Sequence, residues 1–196
     1  MLQKNYFKIL LSTVCLLNLS TVHGQFSPKS IRFSFANEAL ILPSWKIYQS
    51  PINPTLLIGI DTKIKSNKNW QTAKGIELGY FYQRSNESAL MLDINYAKGY
   101  KIGRIQPMFL AAIGAKQILP YSEAFRLKDG QYEKSRAFGR TQLATKLGLG
   151  LAYAVSEKVS ITADYKVMLS LPYSKNFPFS PHTFLGVGLR INLQKN

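Results

Sequence analysis

The sequence predicts an all-β chain: an eight-stranded antiparallel up-and-down transmembrane β-barrel with a cleaved N-terminal signal peptide. Three observations predict it. Apolar and polar residues alternate with a period of two through eight separate segments, as strands with two unlike faces require. Glycine falls on the non-apolar face of those segments. Short connections alternate with long ones along the chain.

The N-terminus is read first. MLQKNYFK carries Lys4 and Lys8 without an acid, ILLSTVCLLNL is a short apolar run, and VHG places Gly24 before Gln25. This is the layout of a secretory signal peptide. The run over 9–19 is broken by Ser12, Thr13 and Asn18 and falls short of the roughly 20 residues a spanning helix needs. Residues 1–24 are therefore expected to be the signal and residues 25–196 the barrel domain. Cleavage would remove two lysines and lower the formal charge from +15 to +13. It would also remove Cys15, the one cysteine, so no disulfide or thiolate metal site is expected in the mature chain. Lipid attachment at Cys15 is the rival reading. Bulky Val14 before it and the apolar run beyond it fit that reading poorly. The remaining Lys and Arg are spread along the chain rather than gathered on one patch, which argues against a nucleic-acid partner.

Eight strands are predicted in order. Residues 30–36 (SIRFSFA) put Ile31, Phe33 and Phe35 on one face. Residues 55–65 set Leu56, Ile58, Ile60 and Ile64 against Gly59, Asp61 and Lys63. Residues 72–83 oppose Ile76, Leu78, Tyr80 and Tyr82 to Gly75, Glu77 and Gly79, and residues 88–97 oppose Leu90, Leu92, Ile94 and Tyr96 to Asp93 and Asn95. Residues 105–117 alternate less clearly, with Phe109, Ala111 and Ile113 against Ala112, Gly114 and Lys116. Residues 141–155 contain TKLGLGLAYAV, with Leu147, Leu149, Leu151, Tyr153 and Val155 on one side and Lys146, Gly148, Gly150, Ala152 and Ala154 on the other. Residues 159–169 and 182–193 close the series. If the mature N-terminus is periplasmic, the first, third, fifth and seventh connections face outward. Three of those four are long and every inner one is short, the asymmetry of bacterial outer-membrane barrels.

Alternation does not say which face points outward. A soluble barrel would put the apolar face inside. The glycines argue for the reverse, since a solvated face has no use for residues that cost backbone entropy and pack nothing, whereas a narrow lumen admits little side-chain volume. Asp61, Lys63, Glu77, Asp93, Lys116, Lys146, Asp164, Lys166 and Arg190 share the glycine face. Inside a lumen they must pair, and a cross-lumen network that plugs the barrel is expected. Tyr80, Tyr82, Tyr96 and Tyr153 stand near strand ends on the apolar face, where interface girdles lie.

The signal peptide, the eight strands and the terminal TFLGVGLRINL resemble the small outer-membrane barrels typified by outer-membrane proteins A and X. QTAKGIELGYFYQR (71–84) and DGQYEKSRAFGRTQLATKLGLGLAY (129–153) are similar to a family of uncharacterised bacterial outer-membrane β-barrel proteins. The resemblance implies the outer membrane as location, its lipids and lipopolysaccharide as surroundings, and the barrel-assembly machinery as the partner during insertion. Such barrels often end on an aromatic residue that this machinery reads; this chain ends Gln194, Lys195, Asn196.

Motifs for chemistry are sparse. There is no nucleotide loop and no His or Cys cluster with metal spacing, so no cofactor and no metal are expected. Some eight-stranded barrels are lipid A acylases or deacylases that use a His with a Ser near the outer rim. His182 and Ser180, two residues apart in FSPHTFLG, are the candidates here, although Pro181 lies between them and no carboxylate is evident nearby. The third outer loop offers Arg126, Lys128, Lys134, Arg136 and Arg140. These could meet lipopolysaccharide phosphates or an external partner, or the loop could simply pack on itself around an Asp129-Gly130 turn. Lys65, Lys68, Lys98, Lys101, Arg104 and Lys158, in or beside the inner turns, could face anionic headgroups or serve solubility alone. The preferred reading is a structural or surface-interaction role. A lipid A-modifying hydrolase or acyltransferase stands second and a small-solute channel third, because eight strands leave no open water path.

Overall fold

The computed structural model describes residues 27–39, 52–83, 87–119, 124–128, 131–135, 139–172 and 179–193. Eight strands form a closed barrel: β1 (Ser30–Ala39), β2 (Pro54–Asn67), β3 (Trp70–Tyr82), β4 (Ser88–Tyr100), β5 (Ile105–Leu119), β8 (Thr141–Ala154), β9 (Val159–Leu171) and β10 (Ser180–Asn192). Each pairs antiparallel with its neighbours in sequence, and β1 pairs with β10 to close the ring. The expected topology is therefore the observed one. Several strands run beyond their predicted ends. For example, β4 reaches Tyr100, where the alternation loses contrast at Gly99 and Lys98 but the ladder continues to Trp70↔Tyr100.

Two further strands, β6 (Ala124–Lys128) and β7 (Gln131–Ser135), form a separate two-stranded sheet in the connection between β5 and β8, paired from Ala124↔Ser135 to Lys128↔Gln131. The sequence predicts a loop here, with no strand. Only β6 alternates, with Phe125 and Leu127 between Arg126 and Lys128, and β7 offers Tyr132 alone; five residues on each side are too short a stretch to stand out. Asp129 and Gly130, expected to turn the loop, lie outside the described residues.

The facing follows the glycine argument. Leu149 and Ile94 are each 67% exposed, and Leu56, Ile58, Leu78, Leu92, Leu147, Val187 and Leu189 are also open on the outer surface. On the intervening positions Asp61, Glu77, Asp93, Lys116, Lys146, Lys166 and Arg190 are buried. A soluble barrel would show the reverse distribution.

One element departs from strict alternation. The β2–β3 register runs Asp61↔Gly75 and then Lys63↔Lys74, so Thr62 is an extra residue, a β-bulge. A one-residue slip exchanges the two faces of everything beyond it. Lys63, expected in the lumen, is exposed on the outer wall beside the outward-facing Lys74. Ile64, expected outside, lines the lumen. Neighbouring backbone also lies against Gly75, where a Cβ would be 2.0 Å from the Ile60 carbonyl oxygen and 2.8 Å from Asp61 Cα. Backbone cannot give way as a flexible side chain does. Gly75→Ala is expected to destabilise the barrel by about 1–3 kcal/mol, the usual cost of overpacking, measured as a lowered urea midpoint in detergent.

Candidate functional site: the plugged lumen

The inward positions form three tiers. On the turn side the lumen opens into a cavity of about 640 Å³. Lys29, Gln71, Lys101, Arg104, Arg190 and Asn192 are in its wall, with Glu157 the one acid among them.

The middle tier is ionic. Asp61 accepts a hydrogen bond from Ser30 Oγ at 2.6 Å and lies 3.3 Å from Arg32 Nε and 3.7 Å from Arg190 Nε. Arg32 also reaches Glu77, with Nη1 3.4 Å from Oε2, and Lys166 Nζ sits 4.0 Å from Glu77 Oε1 and 3.3 Å from Asp164 Oδ1. Over the intervening β5, Lys146 Nζ donates to Asp93 Oδ2 on β4 at 2.5 Å. Eight of the nine residues singled out as lumen charges thus stand in the lumen, and Lys63 does not. Arg32 was missed although it shares the parity of Ser30, Ser34 and Ala36, a signal that was present in SIRFSFA. Its guanidinium lies over Gly59, where a Cβ would come within 2.8 Å of Nη2.

The outer tier rests on an apolar floor. Phe81, Phe184, Met91 and Met168 are at most 2% exposed and cluster with Ala36, Leu57, Ala89 and Ala144. The Phe81 and Phe184 rings meet edge to face at 6.2 Å. Lys116 Nζ lies 5.3 Å from the Phe81 centroid and Lys146 Nζ 5.7 Å from that of Phe184. These apolar residues lie in phase with the glycines and charges, so sequence alternation alone assigns them to the polar face without revealing that they fill the barrel.

Above this floor is a buried polar cluster. His182, expected at the end of the last strand with Pro181 interrupting its approach to Ser180, is fully buried within β10: Pro181 pairs in register with Leu169 and the strand begins at Ser180. A carboxylate is present after all. Glu38 Oε1, brought by β1 from 144 positions away, lies 2.7 Å from His182 Nδ1. The carboxylate accepts from Nδ1–H, which leaves Nε2 as acceptor. Ser180 Oγ is 3.2 Å from Nε2, and Lys116 Nζ is 2.9 Å from it. Lys116 in turn is ion-paired with Glu87. Neither glutamate is recoverable from spacing: Glu38 lies past the predicted end of its strand and Glu87 stands in a connection.

Of the loop cations, Arg126 and Lys128 belong to β6 and Lys134 to β7, while Arg136 lies outside the described residues. Arg140 is exposed where its carbonyl accepts from the Ile118 amide at 3.0 Å. No cluster of His, Cys, Asp and Glu able to hold a metal occurs among the described residues.

Solved structures share this architecture. Neisserial surface protein A superposes with a TM-score of 0.52 at 13% identity, over 84% of this chain and 95% of that one. The fold is that of the small outer-membrane barrels. The outer membrane enzyme PagL (TM-score 0.49, 12% identity, 84% and 99% covered) and the N-terminal barrel domain of Pseudomonas aeruginosa OprF (0.45, 13%, 84% and 98%) are further neighbours. No family model and no curated protein matches the sequence.

The Lys146–Asp93 pair is the clearest test of the plug. Lys146→Met leaves a buried carboxylate without its cation and is expected to cost about 3–5 kcal/mol. The double variant Lys146→Met with Asp93→Asn should recover part of that loss, as read by unfolding in urea.

Proposed function

We propose that the chain is exported, loses residues 1–24, and resides in the bacterial outer membrane as a plugged barrel with a structural or surface-contact role. The observation that carries this reading is the pairing of an apolar exterior with a lumen filled from wall to wall. An aliphatic belt exposed on every side suits hydrocarbon and no aqueous setting. The Phe81, Phe184, Met91 and Met168 floor spans the interior and argues against a small-solute channel. Contact with the outside then falls to the outer loops, including the β6–β7 sheet with Arg126, Lys128 and Lys134, for which lipopolysaccharide phosphates are the fitting partner. Lipid surrounds the wall, and the barrel-assembly machinery handles insertion.

Leu149 tests the facing. Leu149→Arg is expected to weaken bilayer insertion by about 2–4 kcal/mol if it sits near the midplane. The readout is the fraction of heat-modifiable, folded protein in lipid vesicles, and unchanged folding would reject the membrane assignment.

A second reading has a specific observation behind it. Ser180, His182 and Glu38 have the order of contacts of a nucleophile, its general base and the group that orients the base, which supports acyl-ester hydrolysis or transfer on a lipid A-like substrate. In that chemistry Nε2 takes the Ser180 proton while Oγ attacks the ester carbonyl, and returns it to the departing alkoxide. Two features stand against it: all three side chains are buried, and Lys116 competes for Nε2. The decisive comparison is lipid A mass spectrometry from cells expressing wild type, Ser180→Ala, or no protein. The enzyme reading expects a deacylated or acylated species with wild type alone, and three identical profiles remove it.

A further inference from the structure

The bulge at Thr62 has a consequence outside the barrel. Beyond it Lys63 and Lys65 face outward, Lys63 directly opposite Lys74 on β3, and Lys65 opposite Thr72, whose other neighbour is Lys98 on β4. All four lysines are exposed. Like charges placed directly across a ladder destabilise a sheet unless something of opposite sign lies between them. Among the described residues no carboxylate stands on the outer face of β2, β3 or β4: Asp61, Glu77 and Asp93 all point into the lumen.

The depth of the lysine row indicates what that something is. Toward the outer end the same faces are hydrocarbon-like, with Ile60, Ile76, Leu78, Ile94 and Leu92. Toward the turns lie Trp70 and Tyr100, edge to face at 5.1 Å. Lys98 Nζ sits 4.9 Å from the Trp70 centroid and Lys74 Nζ 5.8 Å from that of Tyr96, so each ammonium group lies over an aromatic ring. Aromatic rings and snorkelling lysines at the edge of an apolar belt mark headgroup depth.

We infer that Lys63, Lys65, Lys74 and Lys98, with Trp70 and Tyr96, form a binding site for the phosphate headgroup of an anionic phospholipid on the turn-side rim of the barrel. The headgroup phosphate sits between Lys63 and Lys74, and its acyl chains run up the Ile60, Ile76 and Ile94 wall. The inference rests on the membrane reading above and adds a lipid class and a location to it. Without the bulge, Lys63 and Lys65 would point into the lumen and two of the four cations would be lost.

The test uses fluorescence quenching by brominated acyl chains. The chain has two tryptophans, and Trp45→Phe leaves Trp70 as the reporter. The protein, expressed as the full chain and recovered from membranes, is reconstituted in phosphatidylcholine containing equal small fractions of brominated phosphatidylglycerol or brominated phosphatidylcholine. Trp70 is expected to favour phosphatidylglycerol about fivefold, the equivalent of about 1 kcal/mol or one well-placed lysine. The preference should fall toward one in Lys63→Gln/Lys74→Gln/Lys98→Gln. It should also fall in the unaltered lysine background at about 0.5 M salt, a measurement that does not depend on the triple variant folding. Equal quenching by the two lipids would overturn the site and leave the membrane reading standing. A preference untouched by the triple substitution would equally overturn it. Absence of quenching of Trp70 by both lipids would overturn the membrane reading and the site together.

Discussion

An eight-stranded barrel encloses a lumen of nearly fixed cross-section, and each strand sends every second side chain into it. The total volume of those inward residues must fill the ring without bursting it. Here large inward groups are matched by missing ones. The Arg32 guanidinium occupies the space above Gly59, and the stem of Lys166 passes Gly148, where a Cβ would lie 2.9 Å from Lys166 Cγ. At these two places a long cation on one strand lies over a glycine on the next. That matching places Arg32 against both Asp61 and Glu77, and Lys166 against both Asp164 and Glu77.

Filling the lumen with charge is costly in itself, since burial strips each ion of water. The arrangement offsets this by distributing Arg32, Lys116, Lys146, Lys166 and Arg190 among Asp61, Glu77, Glu87, Asp93 and Asp164, so that each cation lies beside a carboxylate. Where the ionic tier gives way to the aromatic floor, Lys116 and Lys146 keep contact with ring faces as well as carboxylates. The result is a plug in which β1, β2 and β3 are each held by ion pairs to two other strands, Arg32 to Asp61 and Glu77, Asp61 to Arg32 and Arg190, and Glu77 to Arg32 and Lys166. An apolar filling of the same volume would be cheaper to bury but would not fix the relative heights of the strands in this way.

The fold was legible because its signal is repeated eight times: each alternating segment is weak, but a closed ring needs all of them to keep one phase. The same logic recovered eight lumen charges. It failed where phase or range is interrupted. Lys63 and Ile64 were misplaced because Thr62 adds a residue whose presence is visible only in the pairing with β3, not in the sequence of β2. Glu38 and Glu87 were missed because they lie at strand ends, where alternation fades, and because their relation to His182 is made by ring closure between β1 and β10 and by the approach of the β3–β4 connection to β5. Phe81 and Phe184 were in view but carried the wrong sign, since an apolar residue on the polar face looks like noise until the cross-section is known.

The aromatic floor also constrains what the outer polar cluster can do. His182 stacks over Phe184 with centroids 6.5 Å apart and tilts against Phe81 at 5.6 Å, so one side of the imidazole is sealed from the turn-side cavity. Any ligand, proton or substrate that reached Nε2 would have to arrive from the loop side, past Ser180 and the Lys116–Glu87 pair. Because Lys116 donates to the same nitrogen that Ser180 needs, the cluster as it stands is a stabilised network; to become a nucleophilic centre, the lysine must first turn toward Glu87 alone. The ion pair is thus the element that separates a structural plug from a catalytic one.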